Sequence, residues 1–371
     1  MKVGIPSEVK NNEFRVAITP AGVHELVRHG HEVYVQQGAG LGSSITDAEY
    51  VAAGGAILPT ADEVWAIADL LLKVKEPIEE EYHRLRKDQT LFTYLHLAAS
   101  RPCTDALIAS GTTAIAYETV ETADRRLPLL APMSEVAGRL APQVGAYHLM
   151  RAAGGRGVLP GGVPGVAAGK AVVIGGGVSG WNATQIAVGM GFHVTLLDRD
   201  INKLKEADKV FGTKVQTVVS NSFELERACL EADLVIGAVL IPGAKAPKLV
   251  TNELVSRMKP GSVLVDIAID QGGCFEDSHP TTHAEPTFQV HNSVFYCVAN
   301  MPGAVPNTST HALTNATLPY ILELADRGWA EALRRDAALA KGLNTHDGKV
   351  VYCEVAEAHG LEHTELSALL G

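Results

Sequence analysis

The sequence predicts an α/β chain made of two doubly wound parallel-sheet domains, and three observations carry that prediction. Short apolar runs alternate with amphipathic stretches along almost the whole chain, the pattern of successive βαβ units. The alternation falls into two series separated by a charged, proline-containing break. With 371 residues, 46% of them hydrophobic, the chain exceeds what one ordinary core organises and suits two.

Taken in order, KVGIP, EVYVQ, DLLLKVK, TLFTYLHL and TAIAYETV are the strand candidates of the first series, separated by helix-like segments such as PAGVHELVRHG. The charges and two prolines of ETADRRLPLLAP end that series and put a domain boundary near Arg126 to Pro128. A helical stretch from Ser134 to Met150 follows. The Gly/Pro-rich passage GGRGVLPGGVPGVAAGK then leads into a second series, AVVIGGG, HVTLLD, KVQTVVS, DLVIGAV, SVLVDIA and VFYCVAN. From Thr308 the segment TSTHALTNATLPYILELADRGW has helical periodicity, with Asn307 and Thr308 as caps. The tail is too short to fold alone and is expected to return to the first domain. The expected division is residues 1–128 with 307–371 as one discontinuous domain and 129–306 as the other.

Composition excludes several classes of partner. The formal net charge is -11 with the charges interspersed, so there is no basic stripe for nucleic acid or an anionic membrane surface. MKVGIPSEVK has no apolar signal region, and Gly and Pro interrupt every long apolar stretch, so a soluble, cytoplasmic protein is expected. Cys103, Cys229, Cys274, Cys297 and Cys353 are odd in number and scattered, which indicates buried thiols in place of a disulfide framework or a zinc site.

The sharpest motif is Gly175-x-Gly177-x-x-Gly180, directly after the apolar run AVVI and at the mouth of a helix-like stretch. In such a fingerprint the first glycine makes the turn, the second lets backbone approach a pyrophosphate, and the third lets helix and strand pack closely. The helix N-terminus then offers N–H groups to the phosphates. A second strand ends at Asp198, close to the offset of about 20 residues expected for a ribose-binding acid. The domain is therefore Rossmann-like. Asp198 favours NAD, because a carboxylate repels the 2′-phosphate of NADP; the adjacent Arg199 is the feature that points the other way.

In open parallel sheets, ligands bind beyond the carboxyl ends of the strands. Lys75 ends DLLLKVK, His96 lies late in TLFTYLHL on the face of Phe92 and Tyr94, Asp270 follows SVLVDIA, and Asn300 closes VFYCVAN. A lysine, an imidazole, a carboxylate and an amide at strand ends, beside a dinucleotide fold, are the parts of an oxidoreductase site. A group must take a proton from a substrate heteroatom, a cation must hold its oxygens, and closure of an interdomain catalytic cleft must exclude water. Arg15, in the polar stretch EVKNNEFRVAITP, is either a solvated loop charge or a guanidinium held against something negative. His279 and His283 have i, i+4 spacing, but DSHPTTHAEP is interrupted by proline and reads as a solvated loop, so no metal site is expected. No GxSxG elbow or GxxxxGK[ST] loop is present to support a serine hydrolase or a P-loop NTPase.

The segments GIPSEVKNNEFRVAITPAGV, LLKVKEP, FTYLHLA, LAPMSEVAGRLAPQ, VVIGGGVSGWNA, LVDIAIDQGGC and CVANMPGAVPNTST run in order over essentially the whole chain and resemble the bacterial alanine dehydrogenases and their transhydrogenase relatives. The resemblance implies NAD-dependent oxidative deamination of L-alanine to pyruvate and ammonia, and the reverse reductive amination, by a homohexamer. It also implies that Arg15 holds the substrate carboxylate, Lys75 contacts substrate oxygen, His96 is the general acid/base and Asp270 assists proton transfer. It further implies that Ser134, Val178, Asp198, Lys203, Ser220, Val239, Leu240, Ile267, Asp270, Asn300 and Met301 line the NAD site. Ser179 stands where the family commonly has Ala, and Trp181 follows the third glycine. Two competing readings share these features: a transhydrogenase-like domain that passes hydride between dinucleotides, and a non-catalytic NAD-binding scaffold. A related competing reading is preference for glycine and glyoxylate over alanine and pyruvate, a difference of one methyl group worth only about 1–3 kcal/mol of discrimination.

Overall fold

Six short strands follow one another in the first third of the chain: β1 (Lys2–Ile5), β2 (Glu32–Gln36), β3 (Ala56–Leu58), β4 (Leu70–Leu72), β5 (Thr90–Thr93) and β6 (Thr113–Ala116). They pair in parallel in the order β3-β2-β1-β4-β5-β6. The winding direction therefore reverses between β1 and β4. The helices that make the crossovers are started by local chemistry. Thr46 with Glu49, and Thr60 with Glu63, form reciprocal capping boxes at Asp47–Ala52 and Ala61–Ile67, each satisfying N–H groups that a helix start leaves unpaired. Gly111, at φ 70, ends Arg101–Ser110 in the left-handed conformation that a Cβ disfavours.

The second series repeats the plan with β7 (Lys170–Ile174), β8 (His193–Asp198), β9 (Val215–Val219), β10 (Leu234–Gly237), β11 (Val263–Asp266), β12 (Thr287–Val290) and β13 (Ser293–Tyr296). The order is β12-β13-β11-β10-β7-β8-β9, parallel except for β12 against β13. β7 shows why it sits inside the sheet, between β10 and β8. Ala171 and Val173 pack into one core and Val172 and Ile174 into the other, so the strand is apolar on both faces, as a sheet covered by helices on each side requires. Trp181 packs against Phe211 at 5.1 Å between ring centroids and borders the first of these cores, which gives it a packing role.

Two last strands, β14 (Leu343–His346) and β15 (Lys349–Val350), belong to the first sheet. β14 pairs antiparallel with β6 and β15 with β14, making eight strands. This computed structural model describes residues 1–239 and 247–370. The chain divides into a unit of Met1–Met133 with Val305–Gly371 and a unit of Ser134–Ala304. Both are doubly wound α/β sheets, as the alternation predicts, each with an antiparallel edge that the sequence pattern does not announce. Among the described residues no helix is long and apolar enough to cross a membrane.

Two strands are shorter than the apolar runs suggest. β4 stops at Leu72 and β5 at Thr93, so Lys75 and His96 stand in the loops beyond them. The cause is carboxylates that take over the backbone N–H groups: Glu8 accepts from Val74 and Lys75, and Glu118 from Leu95 and His96.

Candidate active site

The candidate residues form two sets, one on the carboxyl edge of each sheet. In the first unit, β1, β4 and β5 are neighbours, and the loops leaving them carry Arg15, Lys75 and His96 respectively. This is the point of reversed winding, where an open α/β sheet leaves a crevice.

Arg15 is no solvated charge, being only 3% exposed. Glu13 accepts from its Nε at 2.6 Å and its Nη2 at 2.5 Å, while Nη1 points at the sulfur of Met133 at 2.9 Å. Burial disfavours the charged guanidinium, but the hydrogen bonds and charge of Glu13 outweigh it and push the pKa up. The segment bearing it is tied down on both sides. Ser43 Oγ donates to the Phe14 carbonyl at 2.9 Å, and the Val16 N–H donates to Thr310 Oγ1 at 3.1 Å.

Behind Lys75 lies a buried ion triad. The fully buried Lys73 ammonium donates to Glu8 at 3.0 Å and pairs with Glu81 at 2.9 Å. Burial pulls the Lys73 pKa down, yet the two carboxylates outweigh it and raise it; burial likewise raises Glu8, against the pull of Lys73. Glu8 Oε1 takes the Val74 N–H at 2.6 Å, so a residue leaving β1 sets the backbone that carries Lys75. Among the described residues the Lys75 ammonium itself makes no ion pair or hydrogen bond.

His96 has φ 48 and ψ 38, a left-handed conformation in a residue with a side chain. Its ring is exposed and stacks on Tyr94 with 5.9 Å between centroids and 5° between planes. Tyr94 is buried, and its hydroxyl donates to the Leu129 carbonyl at 2.6 Å. Burial pushes that phenol's pKa up, with Arg15 pulling the other way.

The second set lies on the second sheet. Gly175 takes φ 101 after β7, and a Cβ on Gly180 would stand 1.7 Å from the Gly175 carbonyl oxygen, so turn and helix meet in direct backbone contact. Val178 opens the helix Val178–Gly189, whose start has no side-chain cap. The helices Ile201–Phe211, Ser222–Glu231 and Asn252–Arg257 are capped by Asp200, Asn221 and Thr251. Asp198 ends β8 with its carboxylate held by the Gly176 N–H at 2.6 Å and the Asp200 N–H at 2.8 Å, and Lys203 lies 3.5 Å away. Ser220 follows β9 and donates its N–H to the Asp198 carbonyl at 2.9 Å.

Several of the remaining candidates follow strands of the same sheet. Val239 follows β10, and Ile267 follows β11 with its N–H on the Gly237 carbonyl at 2.9 Å. Asp270 is exposed in the single turn Ile269–Gln271. Asn300 takes His283 Nε2 on its backbone carbonyl at 2.8 Å, and the buried Met301 opens the turn Met301–Ala304. Ser134 is half-buried in the helix Ala131–His148. Leu240 lies outside the described residues. His279 stacks on Phe288 at 3.7 Å, away from the contact that His283 makes.

These residues fit a dinucleotide. A Cβ placed on Gly177 would meet nothing within 4 Å, leaving backbone open to a pyrophosphate at an uncapped helix start. The Asp198 carboxylate is fixed by two backbone donors and keeps acceptor capacity for ribose hydroxyls.

Four supporting carboxylates escape the strand-end reading: Glu13, Glu8, Glu118 and Asp266. Asp266, fully buried at the end of β11, accepts from the N–H groups of Ala268 (3.1 Å), Cys274 (2.8 Å) and Phe275 (3.3 Å) and from Ser278 Oγ (2.5 Å). It thereby shapes the loop that carries Asp270. Burial raises its pKa against these bonds. Glu118 and Asp266 sit at or just past apolar runs and were open to the rule that singled out Lys75; Glu8 and Glu13 have only their nearness to Arg15 as a signal.

The chain is similar to known proteins over its whole length. The family described as "Alanine dehydrogenase/PNT, N-terminal domain" matches residues 4–137, and "Alanine dehydrogenase/PNT, C-terminal domain" matches 141–353. The alanine dehydrogenase of Mycolicibacterium smegmatis is 68% identical over 370 residues, covering 100% of each chain. A solved L-alanine dehydrogenase superposes with a TM-score of 0.95 at 51% identity, over 97% of this chain and 99% of that one. A transhydrogenase from Sinorhizobium meliloti superposes with a TM-score of 0.83 at 27% identity, over 95% and 100%. With two domain matches that together span most of its length and a relative alike from end to end, the chain belongs to the alanine dehydrogenase/PNT family.

Proposed function

We propose that the protein is an NAD-dependent alanine dehydrogenase, converting L-alanine and water to pyruvate and ammonia and running the reverse reductive amination. The observation that carries this reading is the end-to-end likeness to alanine dehydrogenases, together with an arginine, a lysine and a histidine on the loops of three adjacent strands. Bound NAD supplies the hydride acceptor and donor, and the Gly175–Gly180 turn, Asp198 and Lys203 are the residues that would hold it.

The residues of the chain do the rest. Arg15 offers guanidinium hydrogen bonds to the substrate carboxylate, but with Glu13 it is neutral as a unit. Net positive charge must therefore come from Lys75, which also polarises the carbonyl of pyruvate. Once the substrate ammonium has lost a proton to solvent and the α-hydrogen has left as hydride, water adds to the iminium carbon and gives one proton to His96, forming the carbinolamine. His96 returns that proton to the amine, and the hydroxyl proton passes to solvent as the C–N bond breaks to pyruvate and ammonia, with Asp270 orienting the water. An imidazole suits both transfers, since its two ring nitrogens let it accept a proton and give it back. The protein acts in the cytoplasm in amino-acid catabolism, as a homohexamer.

The test is NADH formation with alanine, glycine, serine and no substrate. An alanine-dependent signal is expected; NADH binding without turnover on any of them would refute the reading and leave a scaffold. His96→Ala should abolish turnover and keep NADH binding, and loss of both would make His96 a structural residue.

A further inference from the structure

We propose that Glu118 is the positioning residue of His96: it locks the left-handed turn on which the imidazole stands and puts a carboxylate on the Nδ1 side of the ring, leaving Nε2 for proton transfer. The inference rests on the reading of His96 as the acid/base.

The geometry comes from the sheet. β5 and β6 are parallel neighbours with Thr93 paired to Ala116, so the residues leaving both strands run side by side. Glu118 lies in the turn Tyr117–Thr119, its side chain mostly buried. Its Oε1 accepts from the His96 N–H at 2.6 Å, and both of its oxygens accept from the Leu95 N–H at 3.2 Å. Two successive backbone donors thus converge on one carboxylate, which ends β5 and bends the chain into a conformation that a Cβ disfavours. Charge-assisted bonds are the strong class, suited to holding such a turn. The same Oε1 stands 3.8 Å from His96 Nδ1, while the ring lies flat on Tyr94. At that distance the carboxylate makes no hydrogen bond to the ring, but its charge favours the proton on Nδ1 and leaves Nε2 free. Because the Glu118 oxygens are engaged by backbone, the residue acts through His96 and touches no reacting atom.

Glu118→Ala and Glu118→Gln separate the two roles. Glu118→Gln keeps an acceptor for the turn and should lower kcat only a few-fold. Glu118→Ala should lower kcat by about 10–100-fold, the usual loss when a partner that orients a working group is removed. Both variants should retain the NADH Kd and the KM for pyruvate. The independent readout is the ring 13C resonance of His96 in histidine-labelled protein, assigned by its disappearance in His96→Ala. It should move in both variants, further in Glu118→Ala. A Glu118→Ala enzyme with kcat within about twofold of the parent, an unmoved His96 resonance, or a parallel collapse of NADH binding would overturn the proposal. If Glu118→Ala does not fold, Glu118→Gln decides: lowered kcat with a moved resonance supports the role, and neither effect refutes it. The resonance shift needs no turnover, so an inactive parent would defeat the functional reading and leave this one standing or falling by itself.

Discussion

Gly177→Ala and Gly180→Ala change the same fingerprint by the same methyl group and should fail in different ways. At Gly180 the new Cβ would lie 1.7 Å from the Gly175 carbonyl oxygen and 2.9 Å from its carbon. Both atoms are backbone, so no rotamer change relieves the contact. The helix Val178–Gly189 must move off β7 by more than an ångström, and overpacking of a close-packed interior costs typically 1–3 kcal/mol, with the upper end fitting a rigid neighbour. A loss of about 3 kcal/mol lowers the unfolding midpoint of a unit of this size by about 6–12 °C.

At Gly177 the new Cβ meets nothing within 4 Å, and φ is -72, ordinary for any residue. Stability should change by no more than about 1 kcal/mol, the scale of a helix-start substitution. The methyl group does occupy the space through which a pyrophosphate reaches the helix start, so NADH affinity should fall at least about tenfold, equivalent to 1.4 kcal/mol. Thermal unfolding and NADH fluorescence titration on both variants decide the matter. Unchanged NADH binding by Gly177→Ala would refute the assignment of that backbone to the dinucleotide, and an unchanged midpoint for Gly180→Ala would refute the close contact.

Three further outcomes are expected. Lys73→Met leaves Glu8 and Glu81 buried without their cation and should cost about 3–5 kcal/mol at neutral pH by urea denaturation. Since the folded pKa of Lys73 lies above its unfolded value, its contribution is full below about 10.5 and is lost as pH rises through the folded value, so the deficit should shrink in that range. Asp266→Ala strands the N–H groups of Cys274 and Phe275 in the interior, at about 1–3 kcal/mol for each group left unsatisfied, and should lower turnover by loosening the loop that carries Asp270; unimpaired turnover would separate that loop from catalysis. In the native protein a thiol reagent should modify Cys353 first and the other four cysteines only after unfolding. Burial pushes Cys103, Cys229, Cys274 and Cys297 each up to about 12, whereas Cys353 is exposed.

What the sequence revealed follows from what is local. Apolar runs and the spacing of Gly175, Gly177, Gly180 and Asp198 are contiguous patterns, and β7, its turn and β8 appear in the structure as read. β4 and β5 end short of their apolar runs for a cause that is not local. Leu91 to Leu95 is a plausible strand throughout, and only a carboxylate 22 residues later, Glu118, removes His96 from it. The same limit hid the Arg15–Glu13 pairing. The residues are two apart, but nothing in a loop reveals that both will be buried. Trp181 was silent for the same reason, because its partner Phe211 lies on the next helix of the sheet.

The antiparallel pairing of β14 with β6 has a consequence for how this protein is made. Translation delivers β1 to β6 early and β14 late, with roughly 230 residues between β6 and β14. At about 5–20 residues per second, the β6 edge waits some 10–45 s for its neighbour. Thr310, which bonds the backbone beside Arg15, is also missing during that interval. A ribosome-bound fragment ending before β14 therefore carries an open sheet edge, the feature through which chains pair wrongly. A nascent chain stalled near residue 300 should need protection that the finished protein does not, and mistakes in its production should be errors of edge pairing before they are errors of core packing.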